Sequence, residues 1–228
     1  MQPGTMPLLA VNIGLSRRSS AWTPASLASP WAWYKFNTGQ TIVTGVSAWT
    51  DAWGDATKTL LQATTARQPL LQGNGTLLFD GSNDNLVTSG SLTLNQPWSV
   101  IVYGKTVTWV LDSTMAMSSG FADIRASAVS PNMSLYAGAV ACETPGFTVG
   151  TYAMLAAVFN GASSQLSVNN NAPVTGNPGT AVGTAFRIGA NAASLNMQLW
   201  EVIVTNAALS AGDIASAYAY GQAQGFCA

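Results

Sequence analysis

Leu77-Leu78-Phe79-Asp80-Gly81-Ser82-Asn83-Asp84-Asn85-Leu86 is the stretch whose reading decides the fold. An apolar strand end, Leu77 to Phe79, runs into a turn dense in Asp, Gly, Ser and Asn, and the chain is apolar again at Leu86 and Val87. Gly81 takes φ > 0 without steric cost, and Asp80, Asn83 and Asp84 can hydrogen-bond the backbone through the bend. The stretch therefore reads as a strand-turn-strand corner of a β-sandwich. It is also the densest acidic and polar cluster in the chain, so the search for chemistry starts there.

Short β-prone runs lie on both sides of it. Trp31 to Phe36 is aromatic and strand-like, and Thr41 to Trp49 is a second candidate with a bulge or turn at Gly45. Trp98 to Tyr103 reads as a buried strand, with a turn at Gly104 and Lys105 and a further strand over Val107 to Leu111. Shorter runs follow at Ala122–Ala126, Met133–Ala137 and Ala139–Cys142, then the long apolar Tyr152–Phe159. Gln165–Val168 alternates polar and apolar residues, and 169–179 reads as a polar loop carrying Pro173 and Pro178. Ala185–Ile188 and Met197–Thr205 are the last strands. Many short strands separated by turn signals indicate an antiparallel sandwich or barrel.

One helix is expected, over about 210–224. Ser210 is a good N-cap, and Asp213 completes an acidic capping box. Ile214, Ala217, Tyr218 and Gly221 then share one face at helical spacing. Residues 1–30 contain Pro3, Pro7, Pro24 and Pro30 and read as an extended arm; residues 31–228 form one sandwich domain.

Composition narrows the chemistry. Charged residues make up only 7% of the 228 residues, against about 25% in ordinary domains. The net charge is −1, and the eight Lys and Arg are unclustered, which argues against nucleic acid as a partner. So weak a like-charge repulsion favours life in a packed assembly or outside the cell. No histidine is present, so triads and zinc sites built on imidazole are excluded. No apolar run reaches membrane-spanning length. Leu8–Leu15 is followed, not preceded, by Arg17 and Arg18, the wrong order for a signal peptide. Cys142 and Cys227 form no disulfide framework; free thiols are expected, with a pair as the alternative.

Several motifs follow one another in order: Val46–Asp51, Gln62–Pro69, Phe79–Asp84, Arg187–Gly189, Leu199–Val204, and Ala208–Ser210 before the helix. Together they resemble the concanavalin A-like, laminin-G-like jelly rolls of phage structural proteins, over about residues 31–224. The resemblance implies two stacked antiparallel sheets. It further implies a non-enzymatic virion protein that decorates the capsid, packed through its arm and a sandwich face against the major capsid protein and copies of itself. Such a protein is made in the host cytoplasm and located in the virion. The alternative is a lectin-like adhesin on a phage tail or spike that binds a cell-surface glycan.

The candidate sites are few. Some laminin-G-like domains hold calcium at the sandwich rim. Asp80, Asn83 and Asp84, or Asp51 and Asp55, supply the oxygen ligands for such a site, though turns select the same residues for backbone reasons. Glycan hydrolysis needs two carboxyls flanking one bond, and Glu143 and Glu201 stand in separate elements with no acidic residue nearby in sequence. Alternation places Glu201 with Leu199 and Ile203, opposite Trp200, Val202 and Val204, with Arg187 or the start of the helix as its partner. Trp49, Trp53 and Trp109 lie near turns or strand ends, where an aromatic face can meet a sugar or fill a core.

Overall fold

The structure is a computed structural model that describes residues 22–90, 92–118, 122–144, 148–190 and 193–228, with backbone alone at 117 and 118. Most of the expected arm, residues 1–21, lies outside the described residues.

In chain order the strands are β1 (Pro30–Tyr34), β2 (Gln40–Ile42), β3 (Val46–Trp49), β4 (Leu60–Leu61), β5 (Leu70–Leu71), β6 (Leu77–Asp80), β7 (Asn85–Thr88), β8 (Trp98–Thr108) and β9 (Thr114–Ser118). They continue as β10 (Ala122–Ala126), β11 (Met133–Tyr136), β12 (Val140–Thr144), β13 (Ala153–Phe159), β14 (Ser164–Val168), β15 (Val174–Gly176), β16 (Phe186–Gly189) and β17 (Asn196–Thr205). Among the described residues one α-helix, α1 (Ala211–Gln224), follows the last strand.

These strands form two antiparallel sheets. The first runs β15-β14-β13-β8-β17-β6-β5, with β1 on the far half of β17; the second runs β12-β11-β10-β9-β16-β7-β4-β3-β2. The Asp80–Asn85 turn carries the chain from β6 in the first sheet to β7 in the second, so it is the corner expected of it. Gly81 sits there at φ +85°, and a Cβ would come within 2.7 Å of the Asn196 side chain, so glycine is required on two counts.

The sheets enclose one core. Trp49, Trp98, Tyr34, Phe79, Phe159 and Phe186 are its largest fully buried members, and Trp98 stacks on Phe159 at 4.3 Å. The outer face of the first sheet holds a second apolar layer. Ile101, Tyr103, Met154, Ala156, Val158 and Ile203 point outward and are covered by Ile214 and Ala217 of α1, by Phe226, and by Leu27 of the entering chain. Burial on both faces is why these central strands read as continuous apolar runs and not as alternations.

The helix is capped as expected. Asp213 N donates to Ser210 Oγ (3.1 Å) and Ser210 N donates to Asp213 Oδ2 (2.9 Å); Gly225 ends the helix in the left-handed region. Both cysteines are free and buried, and burial pushes each thiol up to about 11. Among the described residues no helix is long and apolar enough to cross a membrane.

The turn expected at Gly45 divides Thr41–Trp49 into a hairpin, β2 and β3. Three expectations about elements are corrected. Gly104 and Lys105 form no turn. β8 runs through them, and the expected Val107–Leu111 strand is its continuation as far as Thr108. The glycine is there for close approach, since a Cβ at Gly104 would lie 2.5 Å from the Gln198 carbonyl and 2.6 Å from Leu199 Cδ2. The polar loop 169–179 contains β15, a short edge strand. Glu201 does not share a face with Leu199. A register shift in β17 between Leu199 and Glu201 breaks the alternation, so Leu199 enters the core while Glu201 lies beneath the helix.

Candidate functional site

The loop 50–59, between β3 and β4, is the most elaborated segment at the rim of the sandwich. Asp51 organises it. Its carboxylate, on a residue only 5% exposed, accepts from Trp33 N (2.8 Å) and Trp53 N (3.2 Å) at Oδ1 and from Asp55 N (3.2 Å) at Oδ2. Ala52 N donates back to Trp33 O (2.8 Å), which docks the loop along β1. A carboxylate that accepts three backbone N–H groups satisfies donors that no strand partner reaches.

The rest of the loop is equally fixed. Residues 56–58 form a 3-10 turn capped by Asp55, whose Oδ1 accepts from Thr57 N (3.0 Å) and Thr57 Oγ1 (2.6 Å). Lys58 Nζ stands 3.1 Å from Asp55 Oδ2 and 5.2 Å from the centre of the Trp31 ring. The hydrogen bonds from Thr57, and then Lys58, hold the Asp55 carboxyl below its usual range. Tyr34 Oη donates to Lys58 O (2.8 Å), and Ser89 Oγ reaches Ala56 O and Thr57 O.

This frame opens a cleft of about 250 Å³, lined by Thr50, Asp51, Gly54, Asp55, Ala56 and Thr59. Gly54, at φ +89°, has no atom within 4 Å of where a Cβ would stand, so it leaves the cleft open. Beside the cleft in the same loop, half-buried Trp53 packs on Trp33 with ring centres 5.9 Å apart, and Lys35 Nζ lies 4.9 Å over the Trp33 ring. An ionised carboxylate, two threonine hydroxyls and an indole pair are together suited to a hydroxylated ligand with an apolar face. An Asp55 held ionised accepts hydrogen bonds but has no proton to give a leaving group.

The other expected site residues are placed as follows. Asp84 is buried and accepts from Asp80 N (2.9 Å), and burial raises its carboxyl. Asp80 accepts from Ser82 N (2.8 Å), and the Asn83 carbonyl accepts from the Asn85 amide (2.9 Å). The calcium reading of Asp80, Asn83 and Asp84 thus rests on the oxygens this turn leaves over. Among the described residues no three acidic or cysteine side chains gather as a metal set.

Glu201, 1% exposed, accepts from Tyr220 Oη (3.0 Å) and Phe36 N (3.3 Å), and burial raises its carboxyl. Its partners are therefore a residue late in α1 and the chain after β1. Arg187 is on the second sheet, in register with Val87 and Met117. Glu143 is also in the second sheet, bonded to the Asn132 amide (3.0 Å), whereas Glu201 lies buried in the first. Trp49 is a core residue whose indole donates to Lys35 O and Thr38 O, and Trp109 packs partly buried on the same core.

Trp33 and Lys35 were the parts of the rim site that sequence reasoning missed. Trp33 comes from β1 and Lys35 directly follows it, and contacts across some eighteen positions, the Asp51 and Ala52 hydrogen bonds to Trp33 and the Trp33–Trp53 packing, bring them to the loop. The aromatic run at 31–36 gives no direct signal for this, since Trp31 enters the core between the sheets while Trp33 faces the outer apolar layer.

The fold is that of a β-sandwich domain found in carbohydrate-active and toxin proteins. Domain 4 of AbnA, an extracellular GH43 arabinanase from Geobacillus stearothermophilus solved with arabinotriose, matches with a TM-score of 0.60 at 14% identity, over 82% of this chain and 97% of that one. Trypanosoma rangeli sialidase in complex with sialic acid matches with a TM-score of 0.59 at 12% identity, over 88% of this chain and 36% of that one. A botulinum neurotoxin type C structure matches with a TM-score of 0.56 at 9% identity, over 84% and 51%. The chain thus spans about a third of the length of the sialidase chains it resembles. At these identities the likeness is one of fold. No family model matches the sequence, and no curated protein does.

Proposed function

We propose that this chain is a carbohydrate-binding domain that acts without catalysis and takes its glycan at the cleft of residues 50–59. The observation that carries the reading is the Trp33–Trp53 pair beside a cleft lined by a carboxylate and threonine hydroxyls. The apolar face of a sugar ring lies against Trp53, and its hydroxyls donate to Asp55 and pair with Thr50 and Thr59. The solved relatives support it, since AbnA domain 4 is described with arabinotriose, the sialidase with sialic acid, and toxin entry as dependent on two gangliosides. The absence of histidine and the placement of Glu143 and Glu201 in opposite sheets support the non-catalytic part.

The test is a glycan array probed with the full chain and with W53A. Saturable binding to one glycan class that W53A loses, with the melting temperature kept, is the expected result. No binding to any glycan, or binding that W53A leaves intact, refutes this site.

The virion-decoration role implied by the sequence resemblance is the second reading. It is favoured by the exposed apolar side chains Ile42, Val43, Leu61 and Leu70, which a neighbouring copy or a capsid protein would cover. None of the three relatives described above is a virion protein. Purified particles that lack the chain would remove this reading.

A further inference from the structure

A second cleft, of about 180 Å³, lies where β14 and the turn after it meet the first turn of α1. Its walls are Gln165 and Ser167 on the outer face of β14, Asn170 to Pro173 in the turn, and Ala211 and Ile214 at the helix start. Ser167 is the informative member. It is 1% exposed, lines the cleft, and its Oγ has no hydrogen-bond partner. A buried hydroxyl left without a partner costs free energy that a native structure normally recovers through a bound group.

More hydrogen-bonding capacity surrounds it. The Asn170 and Asn171 side-chain amides make no hydrogen bond among the described residues, and Gln165 spends only one N–H, on Leu209 O (3.4 Å). The capping box occupies Asp213 N, and Ile214 N goes to Ser210 O, which leaves the N–H groups of Ala211 and Gly212 over. Pro173 and Ile214 add an apolar surface.

The lining contains no charged side chain. The nearest acid in the first helical turn, Asp213, keeps its carboxylate at the helix end to serve Ser210 N and Oγ, and so works against an anion there. What remains is an uncharged set of donors and acceptors around a small apolar floor. The volume is below the roughly 300 Å³ at which pockets take drug-sized ligands.

We infer that this cleft is a second subsite, for a single neutral sugar ring or another small uncharged polyol, with Ser167, Asn170 and Asn171 as its hydrogen-bonding residues. The inference rests on the carbohydrate reading of the chain but not on the cleft at 50–59. The two clefts draw on opposite ends of the sequence and share no residue.

The test is a titration of the full isotope-labelled chain with arabinose, galactose and glucose, followed by amide chemical shifts. Saturable shifts at Asn170, Asn171, Ala211 and Gly212 are expected with at least one sugar. The variant S167A loses no protein hydrogen bond and keeps the fold, and should weaken those shifts about tenfold in affinity, the factor that one hydrogen bond carries. N171A provides a second, exposed substitution that leaves the core untouched.

Shifts confined to residues 50–59 would overturn the second subsite and leave the proposed function standing. Shifts only at the β14 cleft would uphold the subsite and remove the cleft at 50–59. Silence at both overturns both. Phosphate or acetate shifting the β14 cleft where the sugars do not would make it an anion site and overturn the inference.

Discussion

Replacing Asp51 by alanine tests whether one buried carboxylate holds the rim loop. The side chain accepts from three backbone N–H groups, those of Trp33, Trp53 and Asp55. Hydrogen bonds to an ionised group contribute about 1.5–3 kcal/mol each when measured singly. The three share one side chain, and the Trp53 and Asp55 amides sit in a partly exposed loop where water can replace the acceptor. Only the Trp33 amide, within β1, is left without an alternative. The expected loss for D51A is therefore about 2–4 kcal/mol, not the sum of three bonds. In a chain of this size each kcal/mol lowers the melting temperature by about 2–4 °C. D51N keeps one carbonyl oxygen for the Oδ1 pair and gives up only the Asp55 amide, so it should cost about 1 kcal/mol. Urea denaturation of the three proteins at one pH measures both numbers. A loss below about 0.5 kcal/mol for D51A, or equal losses for the two variants, would refute the clamp, since surface changes fall in that range.

Three further outcomes follow from the same geometry. Glu201 titrates higher in the fold than in the unfolded chain because burial disfavours its charge. The unfolded state thus releases its proton first, and the residue's contribution to stability falls as pH rises from the unfolded value of about 4.3 to its folded value, then levels off. The stability of wild type minus that of E201Q should decline across that window, and parallel pH profiles would contradict the assignment. G221A should destabilise by about 1–3 kcal/mol although alanine favours a helix by about 1 kcal/mol. Its Cβ would lie 2.4 Å from Tyr103 Cε1, and that ring is pinned by the bond from Tyr103 Oη to Ala217 O (2.7 Å); a more stable G221A in thermal melts would show that the helix can slide. If Asp80, Asn83 and Asp84 hold calcium, the melting midpoint rises with calcium and falls back with chelator; an unchanged midpoint removes the site.

The legible parts of the fold were those written in local chemistry. The Asp80–Asn85 corner announces itself because a chain crossing between sheets needs a positive-φ glycine and side chains that bond the backbone. The helix is legible from Ser210, Asp213 and the spacing of its buried residues. The errors at Gly104 and Glu201 turn on contacts distant in sequence. Gly104 looks like a turn until Gln198 and Leu199 are seen against it. Glu201 is misplaced by strict alternation because the irregularity in β17 leaves no signature in composition. Asp51 and Asp55 were noted only as oxygen donors for a metal. That they frame a cleft depends on Trp33, which reaches them through a strand far away in sequence. The Ser167 cleft has no sequence signal at all, since its two sides are a strand and a helix more than forty positions apart.

The antiparallel pairing of β1 with β17 puts Pro30 opposite Thr205, so the chain enters and leaves this ladder at the same end. Tension applied through the two ends would peel that pair like a zipper, one hydrogen bond at a time, and would not shear the whole row at once. The helix that follows β17, together with Phe226 and the Trp22–Tyr220 contact, lies across this opening. Resistance to pulling therefore rests on the apolar cap, which yields first, and a domain of this design would bear load best when many copies share it.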